Sequence, residues 1–464
     1  MVFSSLIFLG LFLPITLGFY YISKNTTYRN IILLTASLFF YAWGEPVLIL
    51  VMLTSAFAGY LSAFGVEKWR GTWKSRASLI AALVIDIGLL GLYKYAGFFV
   101  SNVNAIFGTS FNFAGFALPL GISFYTFQIL TYVIDVYRGE AGLQKSFYKF
   151  LLYVSMFPQL VAGPIVRYVD IEEQINHRTV TAKDFEYGVI RFVQGMFKKI
   201  VLANCAGSIV TALLGDDMAS LSAVGAWFGI IMYAFQIYYD FSAYSDMAIG
   251  LGSFFGFRFK ENFDYPYTSK SITEFWRRWH MSLGSFFRDY VYIPLGGNRR
   301  HQLFNLAVVW FLTGFWHGAS WNFILWGVYY GVWLILEKKL IFKFIDKIPS
   351  FVRLIYSNLV VLGGWMLFYF TDMSKLKVFL TAAFGGNTAV SNIIPKFQAM
   401  SHIWIIIIMV ICSTPAIKIL AKKIRDKAPR LYAPLLAVAV AGIMTVCFAL
   451  LVKQSYNPFL YFRF

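Results

Sequence analysis

Long apolar runs separated by short polar stretches set the pattern of this chain. They cover residues 3–22, 30–44, 46–64, 77–97, 118–136, 149–166, 185–213, 222–256, 303–336, 354–371, 402–420 and 432–452. Many of them approach or exceed the ~20 apolar residues that a membrane helix needs. The pattern predicts an all-α polytopic membrane protein of roughly 11–13 apolar segments. Breakers refine it. Glu45-Pro46 divides 30–44 from 46–64, because proline disfavours helix in the residue before it. Pro158, Gly163 and Pro164 fall inside 149–166, so a broken or re-entrant helix is expected there. Irregular backbone at membrane depth is tolerated only where protein or a cavity covers it. The chain shows no tandem repeat and no long linker, so one membrane-embedded domain over 1–464 is expected.

Charge orients these segments. Only 13% of residues are charged, against about 25% in soluble domains. The net charge is +18, and its cations gather in loops at Lys24 and Arg29, at 67–76, at 138–145, at 258–301, at 338–347 and at 418–430. Basic loops face the cytoplasm, which places the N-terminus outside. The uncharged connector 98–117 and the acidic loop Gly215-Asp216-Asp217 then lie outside, as does the loop joining 354–371 to 402–420. The first run has no basic lead and no clear cleavage site, so it is expected to remain as a span. Residues 303–336 have basic flanks on both sides. Two half-helices that dip in and return, meeting near His317, account for that. Cations scattered over many loops do not form the single basic face that nucleic acid requires. Cys205, Cys412 and Cys447 sit in apolar segments without disulfide or metal-ligand spacing.

The costly residues inside this pattern are the candidates for chemistry. The chain has five histidines: His177, His280, His301, His317 and His402. His280 and His317 each follow a tryptophan. His317 lies in an apolar run, where neutral imidazole suits a general base; a structural hydrogen bond between helices is the plainer reading. Gly314 and Gly318 beside it permit close backbone approach. His280 follows Trp276-Arg277-Arg278-Trp279, which suits either an interfacial anchor or a cationic site for a phosphorylated donor. Asp240 and Asp246 are acids within 222–256, suited to function or to pairing with a cation. Spaced six apart, they do not share a helix face. His280 and His317 lack the spacing of an HExxH metal site, and no metal is expected.

Several runs together resemble the membrane-bound O-acyltransferase family, in its alginate O-acetyltransferase branch. They are Trp276-Arg277-Arg278-Trp279-His280-Met281-Ser282-Leu283, Arg288-Asp289-Tyr290, Tyr292-Ile293-Pro294-Leu295-Gly296-Gly297-Asn298-Arg299 and Phe315-Trp316-His317-Gly318-Ala319. Tyr41-Ala42-Trp43-Gly44, Phe157-Pro158-Gln159-Leu160, the stretch from Tyr239 to Asp246 and Asn457-Pro458-Phe459 extend the likeness over almost the whole chain. The resemblance implies broken helices around a central tunnel, with His317 as the principal catalytic histidine and His280 as the second. Arg277, Arg278, Trp316, Asn322, Asp240 and Asp246 are the expected substrate-binding residues. The implied donor is acetyl-CoA, used as substrate with no resident cofactor. The implied acceptor is an extracytoplasmic polysaccharide such as alginate, cellulose or peptidoglycan, reached through a partner acetyltransferase. The implied location is the bacterial cytoplasmic membrane. A teichoic acid D-alanyl transferase shares the WRRWH run, and a polysaccharide or lipid transporter shares the many spans; these are the rival expectations.

Overall fold

The apolar segments fold as helices because hydrocarbon offers the backbone no water, so each segment must satisfy its own amides and carbonyls. The computed structural model describes residues 1–160, 163–215, 218, 220–387, 392–453 and 459–460. It is 76% helical. Among the described residues, five helices are long and apolar enough to cross a membrane alone: Ile49–Lys68, Trp73–Phe107, Ala182–Leu214, Ser350–Tyr369 and Pro429–Lys453. The pair Ile393–Ser401 and Ile403–Cys412, bent by 68°, would make a sixth. Large apolar side chains on these helices face outward, among them Val438, Trp404 and Ile393. In a membrane protein this outward apolar surface meets lipid.

The chain divides into two compact units, Met1–Phe192 with Tyr244–Lys260, and Val193–Ala243 with Glu261–Phe464. In the first, Thr26–Gly44 and Ile49–Lys68 are separated at Glu45-Pro46 as expected. The helix of the 77–97 run extends to Phe107 and stops at Gly108, whose φ of +64° ends it. The uncharged connector is therefore helical in its first half. In the 149–166 run, only Phe147–Ser155 is helical, which matches a broken segment; Val161 and Ala162 lie outside the described residues. The acids Asp216 and Asp217 of the expected outer loop do too. A buried guanidinium ties this unit together. Arg178 donates to the Tyr20 hydroxyl at 3.0 Å, the Phe255 carbonyl at 2.9 Å and Asn30 Oδ1 at 2.6 Å.

The second unit holds the stretch from Ser271 to Tyr369. Residues 303–336 form two helices, Gln302–His317 and Trp321–Lys339, joined by 318–320. Their contacts step outward from that turn: Gly318 meets Phe323, Gly314 meets Gly327, and Trp310 meets Gly331. The pair is thus an antiparallel hairpin, and its two basic flanks share one end. A Cβ at Gly314 would lie on the Phe323 carbonyl oxygen, and one at Gly327 on that of Trp310. Only glycine lets the backbones approach this closely. The 402–420 run is not one plain span. It breaks at Ser413-Thr414-Pro415, and Ala416–Lys427 is a separate helix with an exposed basic face. Proline cannot donate to a continuing helix, and the five cations from Lys418 to Lys427 favour the water side.

Candidate active site

His317 is the last residue of its helix, at the tip of the hairpin, and is half-buried. Aromatic rings surround it. The Trp316 ring lies 4.9 Å away by centroid, Trp326 4.9 Å and Phe368 5.2 Å, all edge-to-face. Trp326 stands four residues beyond Asn322 on the returning helix, so the two share a face. Asn322 is fully buried and donates from Nδ2 to the Leu367 carbonyl at 3.2 Å. Farther along the same face, Tyr330 and Trp326 stack edge-on with Trp276, at 4.8 and 5.4 Å. Such pairs contribute about 0.5–1.5 kcal/mol each beyond area burial and fix ring orientation.

His280 reaches the same place from another element. Helix Ile272–Arg278 carries Trp276, Arg277 and Arg278, and the chain then turns at His280 with φ of +46°. That left-handed conformation is uncommon outside glycine and persists where surroundings impose it. Here Asn262 imposes it. Its carbonyl accepts from Met281 N at 2.9 Å, and its Oδ1 accepts from Ser282 N at 3.0 Å and the Ser282 hydroxyl at 2.9 Å. On the other side, Asp264 N donates to the Arg278 carbonyl at 2.9 Å. The His280 ring is 4% exposed and meets Trp316 edge-on at 6.2 Å. Both histidines therefore touch one indole. Burial pushes the His280 imidazole down to about 4, so it is neutral near pH 7.

Four buried polar atoms here lack a partner among the described residues: His280 Nδ1, Trp276 Nε1, Trp326 Nε1 and Asn322 Oδ1. Buried polar atoms are nearly always bonded, so each orphan asks for an explanation. Grouped beside a half-buried histidine, they suit a site that takes a polar substrate.

The other sequence candidates separate. Arg277 is exposed. Arg278 is held by Glu274 at 2.7 Å and donates to the Thr268 hydroxyl at 3.3 Å. Asp240 is paired with Lys199 at 2.5 Å, both almost fully buried, and also accepts Leu460 N at 2.6 Å. Asp246, in the first unit, is paired with Arg191 at 2.8 Å. The helix bearing both acids, Ala223–Phe254, is unbroken. Sequence reasoning missed Trp326 and Phe368, and read Trp276 only as part of the run that precedes His280. The spacing 322, 326, 330 on one helix face was the available signal.

The family model for membrane-bound O-acyltransferases matches residues 139–382, more than half of the chain. This chain belongs to the membrane-bound O-acyltransferase family. The acyltransferase is 44% identical to the probable alginate O-acetylase of Azotobacter vinelandii, over 79% of this chain and 75% of that one. It is 36% identical to the peptidoglycan O-acetyltransferase of Helicobacter pylori, over 73% and 70%. It is 31% identical to the teichoic acid D-alanyltransferase of Streptococcus thermophilus, over 47% and 56%. It is thus a multi-pass membrane O-acyltransferase, and the transporter expectation falls away with that membership.

Proposed function

We propose that this acyltransferase moves an acetyl group from acetyl-CoA, on the cytoplasmic side, to a hydroxyl serving O-acetylation of an extracytoplasmic polysaccharide. The observation that carries the reading is a half-buried His317 ringed by Trp316, Trp326 and Phe368, with orphaned polar atoms around it. In the proposed step, neutral His317 takes the proton of the hydroxyl as its oxygen attacks the thioester carbonyl. The C–S bond breaks, the thiolate leaves, and the proton passes from the imidazolium to that sulfur. The aromatic walls exclude water, which would otherwise hydrolyse the thioester. His280, neutral and sealed, holds the far side of the Trp316 ring. Exposed Arg277 is placed to attract donor phosphates.

The relatives support acetyl over alanyl transfer. Those named for O-acetylation match three-quarters of the chain, whereas the D-alanyl transferase matches less than half. A bacterial cytoplasmic membrane and an extracytoplasmic partner acetyltransferase complete the proposal. The test is His317→Ala. Acetyl-CoA-dependent release of free CoA and acetylation of the cell-surface polymer should both vanish at normal protein levels. Normal acetylation would overturn the assignment, and alanine esters on the polymer in place of acetate would move the reading to the D-alanyl route.

A further inference from the structure

Glu337 is a fully buried carboxylate that no part of the proposed chemistry uses. It stands near the end of the hairpin's returning helix, the one that presents Asn322 and Trp326 to His317. Its two oxygens accept from four donors. Ile272 N lies at 2.5 Å, Thr273 N at 2.8 Å, the Thr273 hydroxyl at 2.7 Å and the Tyr356 hydroxyl at 3.1 Å. The first two are free amides at the start of helix Ile272–Arg278. The third, Glu274 N, is taken by Ser271 Oγ at 3.0 Å, and Glu274 reaches back to Lys270 N at 2.9 Å. Every opening amide of this seven-residue helix is therefore satisfied, two of them by a side chain from another helix. A capping box on the same chain caps a helix but leaves its position free. Glu337 adds a fixed address.

That address bears on the site. The capped helix ends two residues before His280, and the helix that supplies Glu337 starts four residues after His317. Both histidines lie against Trp316. We infer that Glu337 is a positioning residue for acyl transfer: it clamps the helix leading to His280 onto the hairpin bearing His317, and so sets the spacing of the two imidazoles. The inference rests on the proposed roles of the two histidines. A carboxylate suits the task because it is acceptor-only on both oxygens. An amide would turn its NH2 group toward two donors, whichever oxygen it replaced. Displacements of about 1 Å at a reacting centre cost on the order of a hundredfold in rate.

The experiment uses the purified full-length protein with acetyl-CoA as donor and an alginate oligosaccharide as the hydroxyl acceptor. It follows CoA release per folded molecule and the reaction of His280 with diethyl pyrocarbonate, read by peptide mass. In Glu337→Gln, kcat should fall at least tenfold with KM for acetyl-CoA within twofold of the parent. His280, sealed in the parent, should be modified at least threefold faster. A purely structural cap would lower the yield of folded protein and leave both readouts of the folded fraction unchanged. Thr273→Val removes only the hydroxyl donor and serves if Glu337→Gln does not fold. It should lower kcat at least threefold at a parental melting temperature. Parental kcat and parental labelling in the folded variant overturn the clamp. His280→Asn separates the two levels: full activity there overturns the role of His280 and the clamp with it, while an inactive His280→Asn beside a parental Glu337→Gln overturns the clamp alone.

Discussion

Replacing Asp240 by asparagine decides whether this intramembrane acid binds substrate or holds the protein together. In the structure, Lys199 Nζ lies 2.5 Å from Asp240 Oδ1, with 3% and 2% of the two side chains exposed. The other carboxylate oxygen accepts Leu460 N at 2.6 Å, and the ammonium sits 4.4 Å above the Phe459 ring. Asparagine would remove the negative charge that faces the buried Lys199 ammonium, and would offer one acceptor where two donors wait. Removing one partner of a buried pair costs about 3–5 kcal/mol. Replacing both with apolar residues of similar volume is often neutral, so Lys199→Met/Asp240→Leu should recover most of that loss. Thermal unfolding in detergent, followed by tryptophan fluorescence, should show Asp240→Asn melting about 3–5 °C lower, with the double variant nearer the parent. Turnover per folded molecule should be close to parental in the double variant. A parental melting temperature with lost turnover in Asp240→Asn would refute the reasoning and make Asp240 a substrate contact. So would a double variant whose loss equals the sum of the two single losses.

Three further outcomes follow from the site. Gly314→Ala puts a methyl group on the Phe323 carbonyl, so the hairpin must spread. A loss of about 1–3 kcal/mol and a clear fall in turnover are expected, while Gly442→Ala, with open space around it, should be neutral or slightly stabilising. His280 is neutral when folded and protonates in the unfolded chain below its ordinary 6.5, so stability is full above that pH and falls as pH drops from 6.5 toward 4. His280→Asn, which tolerates the left-handed backbone, should flatten the melting-temperature profile over that window by up to about 3 kcal/mol; an unchanged slope would show that other groups cause it. Arg277→Ala should raise KM for acetyl-CoA severalfold at constant kcat, and an unchanged KM would remove Arg277 from the donor site.

Much of this architecture was legible in the sequence, and the unread parts have physical causes. Basic residues on both sides of 303–336 foretold a hairpin, since a single crossing would have put one basic flank outside. The breaks at Glu45-Pro46 and after Ser155 were marked by proline. The 402–420 run misled because isoleucines dominate its average and mask the stop at Pro415, although the cations from Lys418 onward were already visible as a basic stretch. The helix to Phe107 was missed because an uncharged stretch reads alike as loop or as helix. At the site, the two tryptophan-histidine pairs stood out, but their aromatic surroundings did not. In an apolar run, tryptophan and phenylalanine recur on lipid-facing and inward faces alike, so the period groups Trp326 with Asn322 and Tyr330 without saying which ring faces His317. Asp240 and Asp246 were equally open to pairing and to function, and only the positions of Lys199 and Arg191 show that each has a cation. Glu337 was hidden beside Lys338 and Lys339, where an acid reads as part of a solvated flank.

The hairpin that carries His317 also works as a ruler. Its first leg has sixteen residues, about 24 Å of helix at about 1.5 Å each. The hydrocarbon layer is about 30 Å thick. A leg of that length running straight in from one face would stop about 6 Å short of the other, which would put the histidine at its tip deep in the membrane. The turn leaves no spare chain, and the glycine contact forbids one leg from sliding past the other. Reach is thus set by residue count: one helical turn added to each leg would lower His317 by about 5 Å. In the proposed reaction, a thioester donor from the rooted side and a hydroxyl from the far side would then meet on unequal terms, the first travelling most of the bilayer and the second only its last few ångströms.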